Sequence, residues 1–146
     1  MPKPTPEPTG EPNAAQVMFD ADLASKQLGM ELVETGQGRA RIQMRVTGRM
    51  VNGHGILHGG YLFLLADTAF ACACNSHGPR TVASGAEISF IVPGHLGDLL
   101  VATATERTRY GRNGIYDVTV HRQAADEPSV LAEFRGRSRT IGAGRG

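Results

Sequence analysis

Fifteen consecutive residues, Tyr61 to Asn75, contain one charged side chain, Asp67. The run reads Tyr-Leu-Phe-Leu-Leu-Ala-Asp-Thr-Ala-Phe-Ala-Cys-Ala-Cys-Asn. Its Leu and Ala content and its length of about four turns predict a helix rather than a strand. A helix apolar on every side must be covered on every side. A sheet can cover one side only, so a further layer, a second subunit among the candidates, must cover the other. Asp67 stands out against this background. An unpartnered buried carboxylate costs several kcal/mol, more than the roughly 1–3 kcal/mol of a neutral polar group, and helix propensity gives no reason for Asp there. It is either satisfied by Thr, Asn or backbone groups, or it is there to do chemistry.

The flanking segments change period. Arg39-Ala40-Arg41-Ile42-Gln43-Met44-Arg45-Val46 alternates polar and apolar without error, as a strand with one wet face does. Met30–Glu34 is expected to pair with it through a turn at Gly36-Gln37-Gly38. Upstream, Asn13 is a plausible N-cap and Gly29 a plausible stop for a helix over 14–28, with Val17, Met18, Leu23 and Leu28 on its apolar side. Downstream, strands are predicted at Thr81–Val92, Leu99–Arg109, Ile115–Gln123 and a last one after an Ala124–Pro128 turn. In that last strand Ala132, Phe134, Gly136 and Ser138 face one way, and Glu133, Arg135, Arg137 and Arg139 the other. Turns at Pro93-Gly94, Gly97-Asp98 and Gly111-Arg112-Asn113-Gly114 suggest a mostly antiparallel meander.

The rest of the composition mainly excludes. Fifteen basic residues against 14 acidic leave a net charge of +1, which gives no general attraction to nucleic acid or membrane. Tryptophan is absent and aromatics are 5%, so a base-stacking platform is not expected. Residues 1–12 hold five of the eight prolines and read as a disordered tail before a single domain over 13–142, with 143–146 a flexible C-terminus. No stretch resembles a signal peptide or a membrane span, and a cytoplasmic protein is expected. Cys72 and Cys74 lie about 200° apart on a helix, cannot pair without strain, and read as small core residues.

The helix is preceded by Asn52-Gly53-His54-Gly55-Ile56-Leu57-His58-Gly59-Gly60. Two glycines at a helix start let substrate approach the backbone and leave N–H groups free at the positive end of the helix dipole, a place for an oxyanion. His58 is either a turn or cap residue or an orienting group for substrate. His54 and His58 have no third ligand nearby, so no metal is expected. No Lys-Ser/Thr follows the glycines, as a phosphate loop would need, and no Gly-x-Ser-x-Gly elbow is present.

Taken together, Asn52-Gly53-His54, His58-Gly59-Gly60, Leu65-Ala66-Asp67-Thr68-Ala69-Phe70-Ala71 and Ala73-Cys74-Asn75-Ser76 resemble the hotdog-fold acyl-CoA thioesterases of the phenylacetic-acid-degradation type. Phe90-Ile91-Val92-Pro93-Gly94, Gly114-Ile115-Tyr116-Asp117 and Phe134-Arg135-Gly136 extend the resemblance, which covers about residues 14–142. It implies an α+β hotdog fold: a curved antiparallel sheet wrapped around a long central helix, with two subunits joined sheet edge to edge. It also implies a homodimer at least, commonly a homotetramer, with active sites at the dimer interface.

By position, the resemblance makes Gly59 the oxyanion donor and Gly60 the point of close approach. Asp67 becomes the nucleophile or the general base, supplied by the facing subunit, because about 12 Å of helix separates it from Gly59. Asn52 and His58 would position water and the thioester carbonyl. Arg109-Tyr110-Gly111-Arg112-Asn113 would run along the nucleotide of CoA, and Ser84 would border the pantetheine path. The substrate class implied is an aryl-acetyl or similar aromatic acyl-CoA, with no metal or redox cofactor. Two other readings share the fold: a 3-hydroxyacyl thioester dehydratase and a non-catalytic acyl-CoA-binding module.

Overall fold

A computed structural model of the chain describes residues 13–124 and 129–142. The Pro-rich segment 1–12, the C-terminal 143–146 and most of the expected Ala124–Pro128 turn lie outside the described residues.

The expected long helix is α3, Gly59–Asn75. Six strands make one sheet: β1 (Glu31–Gly36), β2 (Arg39–Arg45), β3 (Thr81–Phe90), β4 (Leu99–Tyr110), β5 (Asn113–Arg122) and β6 (Ser129–Thr140). Every pairing is antiparallel, in the order β1-β2-β4-β5-β6-β3. α3 packs against all six strands. A sheet of this breadth spans about 24 Å from first strand to last, against about 10 Å for a helix. It can touch one helix with every strand only by wrapping it, which is the expected hotdog arrangement.

The alternation predicted for β2 and β6 holds. Ala40, Ile42 and Met44 are buried, as are Ala132, Phe134, Gly136 and Ser138, while Arg39, Arg41, Arg45, Glu133, Arg135, Arg137 and Arg139 are exposed. Two of the outward arginines are held close by acids: Arg135 is bidentate to Asp117 at 2.7 and 2.9 Å, and Arg137 meets Glu87 at 2.8 Å. The β1–β2 hairpin turns at Gln37-Gly38, with Gly38 at φ 72°.

Two expectations are corrected. The strands do not form a simple meander, because β3 skips β4 and pairs with β6 at the far edge of the sheet. Short turns after β3 announced a change of direction but could not say which strand would lie beside it. The single helix over 14–28 is two short ones, α1 (Ala14–Asp20) and α2 (Leu23–Gln27), separated by Ala21 and Asp22. Asn13 does cap α1, accepting from Gln16 N at 2.8 Å, and Gly29 does end the pair at φ 76°. Of the expected apolar side, Met18 and Leu28 pack against the core, whereas Val17 and Leu23 are 51% and 70% exposed; Ala15, Phe19 and Ser25 are the fully buried residues. The two short helices lie on α3 and supply part of its second layer.

Close approach of sheet and helix depends on Gly136. A Cβ there would stand 2.8 Å from three atoms of the Phe70 ring, and Phe70, 1% exposed, has nowhere to go. Gly136→Ala is therefore expected to cost about 1–3 kcal/mol, read as a lower midpoint in thermal or denaturant unfolding.

Candidate active site

α3 begins where the loop from Asn52 closes on itself. Asn52 Oδ1 accepts from His54 N at 2.8 Å and from Ile56 N at 3.3 Å, and Asn52 N donates to Ile56 O at 2.8 Å. His58 N donates to Met50 O at 2.7 Å, so His58 enters the helix with its backbone already held. It is the N-cap of α3, and its Nδ1 accepts from Gly60 N at 2.9 Å. The cap reading of His58 therefore stands, with Nε2 left as the outward ring nitrogen.

This narrows the expectation of two free helix-start donors to one. Gly60 N–H is spent on His58, whereas Gly59 N–H meets no acceptor among the described residues. Gly59 opens onto a groove of about 410 Å³ walled by Asn52, Ile56, Leu62, Phe90, Ile91 and Val92, among others. The Phe90 ring lies over it: a Cβ on Gly59 would come within 3.2 Å of Phe90 Cζ. A polarised carbonyl oxygen at Gly59 would thus sit at the mouth of an apolar channel, where a hydrogen bond from a helix N-terminus counts most.

Asp67 lies two turns further along α3, outside this groove. It belongs to the strip of α3 that neither the sheet nor the short helices fully cover: Gly60, Phe63, Leu64, Asp67 and Ala71 are all at least partly exposed. Its carboxylate accepts no hydrogen bond from a described residue. Burial, then the negative charge of Asp22, raises its pKa above the ordinary carboxylate range. The alternative of an Asp satisfied by Thr, Asn or backbone groups is not what the chain builds. Thr68 and Asn75 are bonded elsewhere, to Leu64 O and Ser25, and to Ala71 O and Thr81. Cys72 and Cys74 are buried and free, and burial pushes both thiols up to about 12, so neither supplies a thiolate.

The basic hairpin occupies the opposite end of α3 from Gly59. Asn75, the last helical residue, is doubly bonded to Thr81 at the start of β3, whereas Phe90 at the end of β3 covers Gly59. Arg112 O accepts from Thr140 N, and Asn113 pairs with Arg139, which pairs with Val82. The β4–β5 turn therefore sits at the Thr81 end, about 30 Å along the strand from Phe90. Gly111 makes the turn at φ 59°, and Arg109, Tyr110 and Arg112 are exposed there. Ser84 lies on the edge strand β3 with its hydroxyl donating to Arg137 O at 3.1 Å. The chain brings together Asn52, His58, Gly59 and Gly60, but not Asp67 or the hairpin with them.

One cluster escaped the sequence reading. Glu106 Oε1 lies 2.7 Å from His77 Nε2, accepts from Tyr116 OH at 2.9 Å and meets Arg109 Nε at 3.5 Å. Burial alone would raise the Glu106 pKa, but the hydrogen bonds from His77 and Tyr116 hold it below the ordinary range. The signal was present, since Glu106 shares the inward parity of Leu100, Ala102 and Ala104 in β4. Among the described residues, no three His, Cys, Asp or Glu side chains gather as a metal site requires, and no helix is long and apolar enough to cross a membrane.

Comparison with known proteins points one way. A family model described as Thioesterase superfamily matches residues 54–128. The acyl-coenzyme A thioesterase PaaI of Escherichia coli is 44% identical over 128 residues, which cover 88% of this chain and 89% of that protein. The solved structure of the E. coli PaaI protein from the phenylacetic acid degradation operon superposes with a TM-score of 0.86 at 43% identity, covering 91% of this chain and 94% of that one. The structure of smu.793 from Streptococcus mutans, bound to acetyl CoA, gives 0.74 at 25% identity, covering 80% and 91%.

Proposed function

The chain belongs to the thioesterase superfamily, and from that premise we propose that it hydrolyses an aromatic acyl-CoA, such as phenylacetyl-CoA or a ring-hydroxylated relative, to the free acid and CoA. The observation that carries this reading is the pair formed by the unpartnered Gly59 N–H and the unbonded, half-buried Asp67 on one helix. A thioester is an activated acyl group with a good leaving thiolate, so one carboxylate and one oxyanion donor suffice. Asp67 attacks the carbonyl to form an acyl-aspartate that water then hydrolyses, or takes a proton from the water that attacks. Either way Gly59 N–H receives the oxygen as it turns negative, and the C–S bond breaks as the carbonyl re-forms, releasing CoA as its thiol. Asn52 and His58 hold the loop around that oxygen, and His58 Nε2 faces the approaching thioester.

About 12 Å of helix between Gly59 and Asp67 calls for two protomers. β3 is an edge strand, and Val82, Phe90 and Ile91 along it or just beyond are exposed. Pairing β3 antiparallel with its copy sets the Phe90 end of one protomer beside the Thr81 end of the other. That delivers the partner's Asp67 and basic hairpin toward Gly59 and gives the uncovered strip of α3 its missing layer. Ser84 then borders the seam. Arginines 109 and 112 face the pyrophosphate and 3′-phosphate of CoA, for which a guanidinium fork is suited. A homodimer is the minimal active unit, with a homotetramer built from it, and a cytoplasmic location fits a CoA-dependent reaction.

The discriminating experiment follows thiol release across a panel of acyl-CoAs, with an enoyl-CoA included. Release of CoA, fastest from aryl-acetyl substrates, is expected. Hydration of the enoyl thioester without free thiol would favour a dehydratase, and tight binding without release a binding module. Phe90 is expected to set acyl choice, since its ring walls the groove at Gly59. Phe90→Ala should lower kcat/KM for phenylacetyl-CoA about tenfold while leaving acetyl-CoA nearly unaffected.

A further inference from the structure

α1 and α2 are too short to persist alone, and one hydrogen-bond chain fastens them to α3. Asp22, the N-cap of α2, accepts from Ser25 N at 3.0 Å through Oδ1 and from Ser25 Oγ at 2.7 Å through Oδ2. Ser25 Oγ, its one hydrogen given to Asp22, accepts from Thr68 Oγ1 at 2.9 Å, and Leu64 O at 2.8 Å is the acceptor that competes for the Thr68 hydrogen. Ser25 and Thr68 are 1% and 3% exposed, so the chain runs through the interior. Thr68 directly follows Asp67, and Leu64 is one turn before it.

We infer that Asp22 is a positioning residue for Asp67: through Ser25 and Thr68 it fixes the helical turn that carries Asp67, and it adds a second carboxylate to that neighbourhood. The inference rests on the reading of Asp67 as the reacting carboxylate. Its electrostatic half has support of its own, because the charge of Asp22 reaches both Asp67 and Cys72, and in each case it opposes a further negative charge. Few other groups compete. On α3 the neighbours that titrate are Tyr61, Cys72 and Cys74, while Asp20 and Lys26 on α1 and α2 and Glu31 and Glu34 on β1 are exposed. The inward faces of β2 and β6 carry none, and those of β4 and β5 offer Glu106 and Tyr116, which bond to each other toward the far end of α3. Glu87 on β3 is turned outward to Arg137.

Asp22→Asn removes the charge and keeps a residue that caps helices equally well. The acid limb of the kcat/KM–pH profile should move to lower pH, with unfolding midpoints near those of the parent. Carbon-13 NMR of the Asp67 carboxyl, parent against variant, should show the same displacement without any turnover. It therefore tests Asp22 even if Asp67 proves not to be the reacting group, a failure that Asp67→Asn would expose separately. Should the Asn variant fail to fold, Asp22→Ser is neutral and also cap-competent. Thr68→Val cuts the chain and should lower kcat several-fold at constant KM. An unmoved acid limb and unmoved carboxyl titration in the Asp22 variant, or an unchanged kcat in Thr68→Val, would overturn the inference.

Discussion

Asp67→Asn and Asp67→Ala should each reduce kcat by about 10²–10⁴-fold, the usual contribution of a positioned acid–base group, with the proposed dimer intact. Near-normal turnover in both would end the mechanism. The same variants should also be at least as stable as the parent at neutral pH. The sign follows from linkage. A carboxyl whose folded-state pKa is raised binds its proton more tightly folded than unfolded, so stability is lost as pH climbs from the unfolded value to the folded one, and the deficit persists above that. Asp67 has such a raised value, from burial first and Asp22 second, and no hydrogen bond to offset it. Replacing it removes the deficit. An unfolding midpoint that rises at pH 7 but not at pH 3, together with lost turnover, would mark Asp67 as a residue kept for chemistry against the interest of the fold.

Gly59→Pro should be the second large effect, about 10²–10³ in kcat with KM little changed. Removing a backbone N–H without wrecking a helix is rarely practicable, but this position permits it. Gly59 is the first residue of α3, where proline is well tolerated because its missing N–H leaves no helical bond unmade. His58 before it has φ −64° and ψ 134°, the extended geometry that a residue preceding proline requires. Phe90, the nearest obstacle, stands 3.2 Å from a Cβ placed there and need give only a few tenths of an ångström. Circular dichroism unchanged with kcat collapsed would isolate the donor, whereas full activity would remove Gly59 N–H from the mechanism.

Much of this was legible in the sequence where short-range physics decides. The all-apolar helix, the alternation of β2 and β6, the Asn13 cap and the Gly29 stop each depend on a few neighbouring residues, and each is where expected. The break at Ala21-Asp22 was hidden because apolar residues on both sides fit one helical period, and only packing on α3 decides between one helix and two. The partner of β3 was hidden for the opposite reason. Its pairing with β6 joins residues 59 positions apart, Thr81 with Thr140 sharing a hydroxyl contact of 3.2 Å, and no local pattern encodes that. At the site, Gly59, Gly60 and His58 were readable as a helix start. Which glycine keeps its N–H was not, because that depends on one rotamer of His58.

The placement of β3 governs the order in which the molecule can be completed. The strand is translated before β4 and β5, yet its neighbour in the sheet is β6, the last of the six described strands to be made. Until β6 has left the ribosome, β3 has no bonded neighbour, and β5 is paired on one side only. The chain therefore cannot finish its sheet vectorially, strand by strand from the N-terminus. Closure waits for the final dozen residues of β6, which fasten two strands at once. A nascent chain stalled before Ser129 would hold an open sheet with an unpaired strand adrift, a natural client for a chaperone.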